Sequence, residues 1–347
     1  MKITSKTFPS AKGDITWFEL TNAQGASVTL STMGAGIVKV CVPDKDGKIE
    51  NVALSYAEAA DYIADGPCLG KCPGRFANRI ENGHLEINGK EYQLTINNGP
   101  NALHGGPEGF QNQNWDAEVL EDGVKFTYFS KDGEEQYPGN LTVTATYHWS
   151  EDNVLTLDFH AETDADTVVN LTNHAYWNLD GADAGKIFDH KMKIKASKWL
   201  PQTPSSVPNG VIAATGGSPM DFRIAKRIGE DINRDFTALK IGKGYDHCWA
   251  FDGWEPGKMI MKAVELEAAK SGRKLIMSTD QPGVQIYTGN WLDGSPKNCS
   301  GKSYEDYDGV AIEMQGFPDA PNKPHFPTAL LKAGESYDRK IVFDFQA

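Results

Sequence analysis

The sequence predicts an all-β protein, a large antiparallel β-sandwich with a few short helices. Three observations predict it. Apolar residues recur with period two over much of the chain, the runs are short, and turn-forming residues separate them; 35 Gly and 18 Pro in 347 residues suit a fold with many turns. Alternation places one face of a strand in a core and the other in water. Many short strands joined by close turns indicate a sandwich or a barrel.

Taken in order, the turn signals come first. Asp44-Lys-Asp-Gly47, Ile87-Asn-Gly89 and Lys131-Asp-Gly133 are hairpin sequences. Between and beyond them run the alternating segments. Tyr92, Leu94 and Ile96 form one; Leu141, Val143, Ala145, Tyr147 and Trp149 another, with Thr142, Thr144, Thr146 and His148 on the opposite parity. Leu155, Leu157 and Phe159 follow, then Met192, Ile194 and Ala196, and Ile341, Phe343 and Phe345 close the chain. Helical patterning is confined to 55–65 and 223–236. No composition shift, linker or internal repeat divides the chain. The expectation is one domain over 1–347, since all-β sandwiches commonly reach ~250 residues as one unit. Such a length can bury a core without disulfides or metals.

Charge and composition narrow the function. The net charge of −13 disfavours a nucleic acid as partner, because phosphate binding needs clustered Lys and Arg. A neutral substrate fits. The five Cys (41, 68, 72, 248 and 299) read as free thiols of a reducing compartment rather than as a disulfide framework. Cys68 and Cys72 are separated by three residues and lack a second pair, which argues against zinc. The first residues hold no apolar signal sequence, and no apolar run approaches the ~20 residues of a membrane span. A cytoplasmic location is expected, and the sequons at Asn140, Asn170 and Asn298 then carry no sugar. There is no dinucleotide fingerprint, P-loop, zinc-protease helix or serine-hydrolase elbow.

Six segments break the strand pattern with polar and aromatic residues: 74–80, 101–106, 170–179, 245–249, 281–292 and 309–322. In 170–179, Asn170, Thr172, His174, Tyr176 and Asn178 share one parity. An extended segment would present them as a row of hydrogen-bonding groups with one aromatic ring, a surface that suits a polyol. A solvated polar face is the alternative. Glu313 follows a largely apolar run, and burial would raise its pKa toward that of a general base. Pairing with Arg75 or Arg79 is the alternative. Arg75 and Arg79 flank Asn78 and could bind hydroxyls or make surface ion pairs. His104 precedes Gly105-Gly106, where backbone can approach a ligand closely or simply turn. Asp246 and His247 lie between rings, and Gln285 lies on a Gly-flanked strand.

In this order the segments Gly-Arg-Phe-Ala-Asn-Arg-Ile (74–80), Leu-His-Gly-Gly (103–106), Asn-His-Ala-Tyr-Trp-Asn-Leu (173–179) and Gly-Val-Ala-Ile-Glu-Met-Gln (309–315) resemble the aldose 1-epimerase (galactose mutarotase) family. The resemblance spans about 74–322. It implies the β-sandwich of galactose mutarotases, interconversion of the α and β anomers of a free aldose such as galactose or glucose, and no cofactor or metal. It implies that His174 and Glu313 are catalytic, and that Asn78, Arg79, His104, Tyr176, Asp246 and Gln285 bind the sugar, with Arg75 added from the same motif. Ala102 stands where relatives often carry a larger or polar residue, which bears on substrate preference. The implied partner is a small-molecule aldose, with no nucleic acid and no membrane, for a monomer or weak homodimer.

The chemistry can be argued separately. Exchanging anomers requires a proton to leave the C1 hydroxyl and another to reach the ring oxygen O5. An acid and a base on opposite sides of the C1–O5 unit meet this need. A Glu313 carboxylate and a His174 imidazolium are expected to supply them. A hexose 6-phosphate epimerase, a non-catalytic sugar-binding module and a glycoside hydrolase are the competing readings.

Overall fold

The structure is a computed structural model that describes residues 1–63 and 65–347. Among the described residues, three sheets of five, nine and six strands dominate, joined by three two-stranded ribbons. The strands Lys2–Phe8, Ile15–Thr21, Ser27–Ser31, Gly36–Pro43 and Ile49–Asn51 form the five-stranded sheet in chain order. The hairpin closing it is the one its sequence predicts: Asp44 Oδ1 accepts the backbone N–H groups of Asp46 and Lys48, both at 2.9 Å.

The nine-stranded sheet holds the long alternating runs. Leu141–Trp149 pairs antiparallel with Val154–Thr163, which pairs with Ser336–Gln346. The predicted inner set, Leu141 through Trp149 by twos, Leu155, Leu157, Phe159, Ile341, Phe343 and Phe345, is buried throughout. The six-stranded sheet packs over it. Trp177 joins the two layers, its ring 5.7 and 5.4 Å from the rings of Phe343 and Phe345. Phe18 meets Phe126 at 6.2 Å, so the five-stranded sheet shares the same core.

Three expectations fail locally. Of 55–65, only Ala59–Tyr62 forms a 3-10 turn, and Ala64 lies outside the described residues. Of 223–236, only Ile228–Glu230 forms a 3-10 turn; Lys226–Arg227 pairs with Lys191–Met192 at a sheet edge, and a six-residue helix forms later, at Thr237–Gly242. Edge pairing supplies backbone partners that a short helix would have to make alone. The strand carrying Tyr92 ends at Gln93; Leu94 is buried beyond it, while Ile96 is 42% exposed.

Candidate active site

The six-stranded sheet has two chemically different faces, and cross-strand register creates the second. Val284, Ile286, Ile312, Met314 and Trp249 face the core. On the opposite parity, Gln285 pairs with Glu313 and Cys248, while Tyr287 pairs with Ala311 and Asp246; Ala311 in turn pairs with Tyr176. One row across three strands thus sets Glu313 beside Gln285, and the adjacent row sets Tyr176, Tyr287 and Asp246. Tyr176 and Ala311, 135 positions apart, meet because strand pairing brings them together.

These rows floor a cavity of about 590 Å³ lined by Asn78, Arg79, His104, His174, Tyr176, Asp246, Tyr287 and Glu313 among others. Its volume falls in the usual range of small-molecule sites, about 300–1,000 Å³. The ribbon of Arg79–Ile80 with Ala102–Leu103 brings in the other wall. There Asn78 and His104 both take positive φ, 65° and 52°. They clasp each other: the Asn78 N–H donates to His104 Nδ1, and the His104 N–H to the Asn78 carbonyl, each at 3.1 Å. Asn78 Oδ1 accepts from the Arg79 N–H at 2.8 Å, which leaves its amide NH2 to the cavity.

His174 and Glu313 meet on the cavity floor. His174 Nε2 lies 3.5 Å from Glu313 Oε1, and both side chains are buried. The imidazole packs against the rings of Tyr176, His104 and Tyr287 at 5.0, 5.4 and 6.4 Å. Burial pushes the Glu313 carboxyl well above its usual range, aided by nearby Asp246 and opposed by Arg79. Burial also lowers His174, to about 4. Both shifts favour the uncharged forms, because burial penalises charge on either group. Glu313 Oε2, His174 Nδ1 and Gln285 Oε1 have no hydrogen-bond partner among the described residues. Buried polar atoms are normally paired, so this concentration marks capacity for a polar ligand.

Asp246 is held on three sides. Gln285 Nε2 donates to its Oδ1 at 2.7 Å, Arg79 Nη1 lies 3.8 Å from its Oδ2, and Gln202 Nε2 donates to its carbonyl at 2.8 Å. Asn98 Oδ1 accepts from Arg79 Nε at 2.9 Å, which aims the guanidinium.

The structure brings His174, Glu313, Asn78, Arg79, His104, Tyr176 and Asp246 to one cavity and separates two other expected residues from it. Arg75 faces away. It is 2% exposed, and its guanidinium donates to the carbonyls of Pro138 and Gly139, to Thr167 Oγ1 and to Ser130 Oγ. The positive φ of Asn78 turns the chain between the two arginines, so four-residue spacing does not put them on one face. Gln285 is fully buried and lies one layer down, acting on the cavity through Asp246. The expected polar row in 170–179 also breaks up. Asn170 binds Ala77 and Gly316 backbone, Thr172 is buried, and Asn178 donates to the carbonyls of Gly185 and Asp308. His247 points into the sheet core against Trp199 and Trp249.

Asn98 lines the cavity without having stood out in the sequence, and Tyr287 and Trp291, which also line it, stood out only as part of the segment 281–292. Tyr287 was accessible by parity, two residues after Gln285. Its hydroxyl accepts the Trp291 N–H at 3.0 Å, so its own proton remains available for a ligand.

Ligand atoms of His104, His174 and Glu313 lie within 4.8 Å of one another, close enough for a metal ion. The chemistry of His104 argues against one. Its Nδ1 accepts a backbone N–H, so its ring proton sits on Nε2, and a protonated nitrogen cannot ligate. Cys68 and Cys72 are equally unsuited, since burial raises both thiols, Cys72 to about 11 and Cys68 well above the usual thiol range.

The aldose 1-epimerase family model matches residues 17–344. Galactose mutarotase of Bos taurus is 40% identical over 337 residues, covering 97% of this chain and 96% of that protein. Aldose 1-epimerase of Escherichia coli strain K12 is 34% identical, covering 94% of each. Among solved structures, galactose 1-epimerase from Lactobacillus acidophilus aligns with a TM-score of 0.87 at 29% identity, covering 100% of this chain and 99% of that one. An aldose epimerase homologue from C. elegans aligns at 0.86 and 30% identity, covering 99% of each chain. The sandwich is therefore of the galactose mutarotase type, and the chain belongs to the aldose 1-epimerase family.

Proposed function

We propose that this protein interconverts the α and β anomers of a free aldose, with Glu313 exchanging a proton with the C1 hydroxyl and His174 with O5. The observation that carries the assignment is the buried contact between His174 Nε2 and Glu313 Oε1 at 3.5 Å on the floor of a polar cavity. In ring opening, the Glu313 carboxylate takes the C1 hydroxyl proton. The C1–O5 bond breaks as imidazolium His174 delivers its proton to O5. The products are an aldehyde, a protonated Glu313 and a neutral His174, the same protonation favoured in the free site. Rotation about C1–C2 then presents the other carbonyl face. In closure O5 attacks C1, His174 takes the O5 proton and Glu313 returns its own to O1. One shared proton serves both directions. Moving it from Glu313 to His174 prepares the site for opening; sugar hydroxyls that donate to the carboxylate favour that form.

Asn78, Arg79, His104, Tyr176 and Asp246 are assigned to hold the sugar, with His104 a fixed donor through Nε2. A neutral substrate suits the lining. Asp246, Asp293 and Glu313 are its acids, and Arg79, already beside Asp246, is the one Lys or Arg among the described lining residues. With Arg75 committed to carbonyls elsewhere, a sugar phosphate has little to bind. Galactose and glucose are the substrates of choice to test. No described helix is long and apolar enough to cross a membrane; the cytoplasmic assignment rests on the five cysteines read as free thiols. An apolar cluster extending from Phe18 to Phe345 supports reading 1–347 as one domain. We assign it as a monomer or weak homodimer.

Polarimetry of fresh α-D-galactose and α-D-glucose tests the assignment. Glu313→Gln and His174→Asn should each lose about 10²–10⁴-fold in kcat. Near-wild-type rates in either variant would sink it.

A further inference from the structure

Behind the wall that carries His174 lies a charged pair with no part in the proton transfers. The Lys71 and Asp65 side chains are 1% and 0% exposed and form an ion pair. Lys71 Nζ also donates to the Tyr62 carbonyl at 2.7 Å and to Asn112 Oδ1 at 3.1 Å. Asp65 Oδ2 accepts the Leu69 N–H at 2.7 Å. The turn 65–71 is thus closed on itself by its two end residues.

The other side of this turn grips the catalytic segment. The Gly70 N–H donates to the His174 carbonyl at 3.0 Å, and the His174 N–H donates to the Lys71 carbonyl at 2.8 Å. Asn173 Nδ2 donates to the Gly70 carbonyl at 2.7 Å, and the Tyr176 hydroxyl to the Pro67 carbonyl at 2.9 Å. Four hydrogen bonds therefore join 67–71 to 173–176. Gly66, Pro67 and Cys68 also line the cavity. Gly70 permits this closeness: its φ is +73°, and a Cβ there would lie 1.9 Å from the Ile37 carbonyl oxygen.

A buried ion pair is a poor source of stability, since desolvation offsets its attraction and apolar replacements of similar size are often neutral or stabilising. Its location gives it a different use. We propose that Lys71, closed by Asp65, is a positioning residue for His174: it fixes the turn whose backbone bonds set where the imidazole stands above the cavity floor. The proposal rests on the acid–base reading of His174 and Glu313. The ammonium has a second effect, opposing a positive charge on the imidazole. The other groups around that ring are Glu313, His104, Tyr176, Tyr287 and Asp246, and none of them belongs to the turn.

The test compares wild type, Asp65→Asn and the double variant Asp65→Asn/Lys71→Met by polarimetry with galactose over a range of pH, with thermal unfolding alongside. The double variant is expected to unfold at or above the wild-type temperature while kcat falls about tenfold or more, because small misplacements of a catalytic group are costly. KM should change little. Removing the cation should move the acid limb of the rate profile to higher pH, since imidazolium His174 is then less opposed. Asp65→Asn, nearly isosteric, should lower kcat by less, and because it leaves the ammonium unpaired it should move the acid limb the other way, to lower pH. A folded double variant with wild-type kcat and acid limb overturns the proposal, and so does a loss confined to KM. If the double variant does not fold, Asp65→Asn decides on the same criteria. A wild-type protein that fails to accelerate mutarotation removes the acid–base reading itself, and this proposal with it.

Discussion

Glu313 and His174 are two weak groups in ordinary water and a matched pair in this cavity. Burial moves them in opposite directions, Glu313 up from 4.5 and His174 down from 6.5 to about 4. The pair therefore holds one proton over a broad pH range, and its titrations belong to the pair rather than to either residue. kcat/KM should be flat between an acid limb near pH 4 and an alkaline limb well above the usual carboxylate range; a pH–rate profile checks this. Stability should carry the same signature. A raised Glu313 pKa contributes stability that is fully present below about pH 4.5 and is lost as pH rises through the folded pKa. Glu313→Gln should accordingly gain in Tm relative to wild type as pH rises above 4.5. His174 has the depressed case: its contribution is present above pH 6.5 and lost as pH falls toward 4. His174→Asn should gain relative to wild type over that acid window. Thermal unfolding across pH measures both.

Among elements, the ribbon of Arg79–Ile80 with Ala102–Leu103 and the six-stranded sheet each carry half of the site. Their alignment depends on polar links rather than apolar contact alone. Asn98 fixes Arg79 through Nε, and Arg79 faces Asp246 on the sheet. A lysine cannot reproduce a guanidinium held at Nε and presented at Nη. Arg79→Lys should raise KM for galactose about tenfold with a smaller change in kcat, as steady-state kinetics will show. Arg75 links the same motif to the loop around Pro138. Arg75→Met should leave several buried carbonyls unpaired and cost about 3 kcal/mol in denaturant unfolding, while KM of the folded fraction stays near wild type. A sugar-binding role for Arg75 would show as the reverse pattern.

Over the whole molecule, the three sheets share an apolar core, and two buried groups tie it together. Trp177 sits between the six- and nine-stranded sheets against Phe343 and Phe345. Arg273 donates to the carbonyls of Val42, Pro43, Lys48 and Leu179, joining the five-stranded sheet to the segment just after Trp177. His174 and Tyr176 immediately precede Trp177 in the same stretch of chain, so core packing and site geometry are coupled. Trp177→Ala should cost about 3–5 kcal/mol. Calorimetry should show a lower Tm, and the sugar site should loosen together with the core.

The sequence by itself determined the strands whose alternation is long, from Leu141 to Trp149 and from Ile341 to Phe345, because period two is a local property of side-chain direction. It also determined which residue types could exchange protons on a sugar. It named His174 and Glu313 and, through resemblance, most of the cavity wall. Short elements such as 223–236 were not legible, since edge pairing with Lys191–Met192 decides them. Only the tertiary structure decided which of two similar residues faces the ligand. Arg79 and Arg75 carry the same guanidinium in one motif, and a single positive φ at Asn78 separates their directions. It also decided the direction in which each group's titration shifts. A protonation state follows from burial and from neighbouring charges, and those come from strands and turns distant in sequence. The turn 65–71 behind His174 is one of them: its side chains show their purpose only when folded against it.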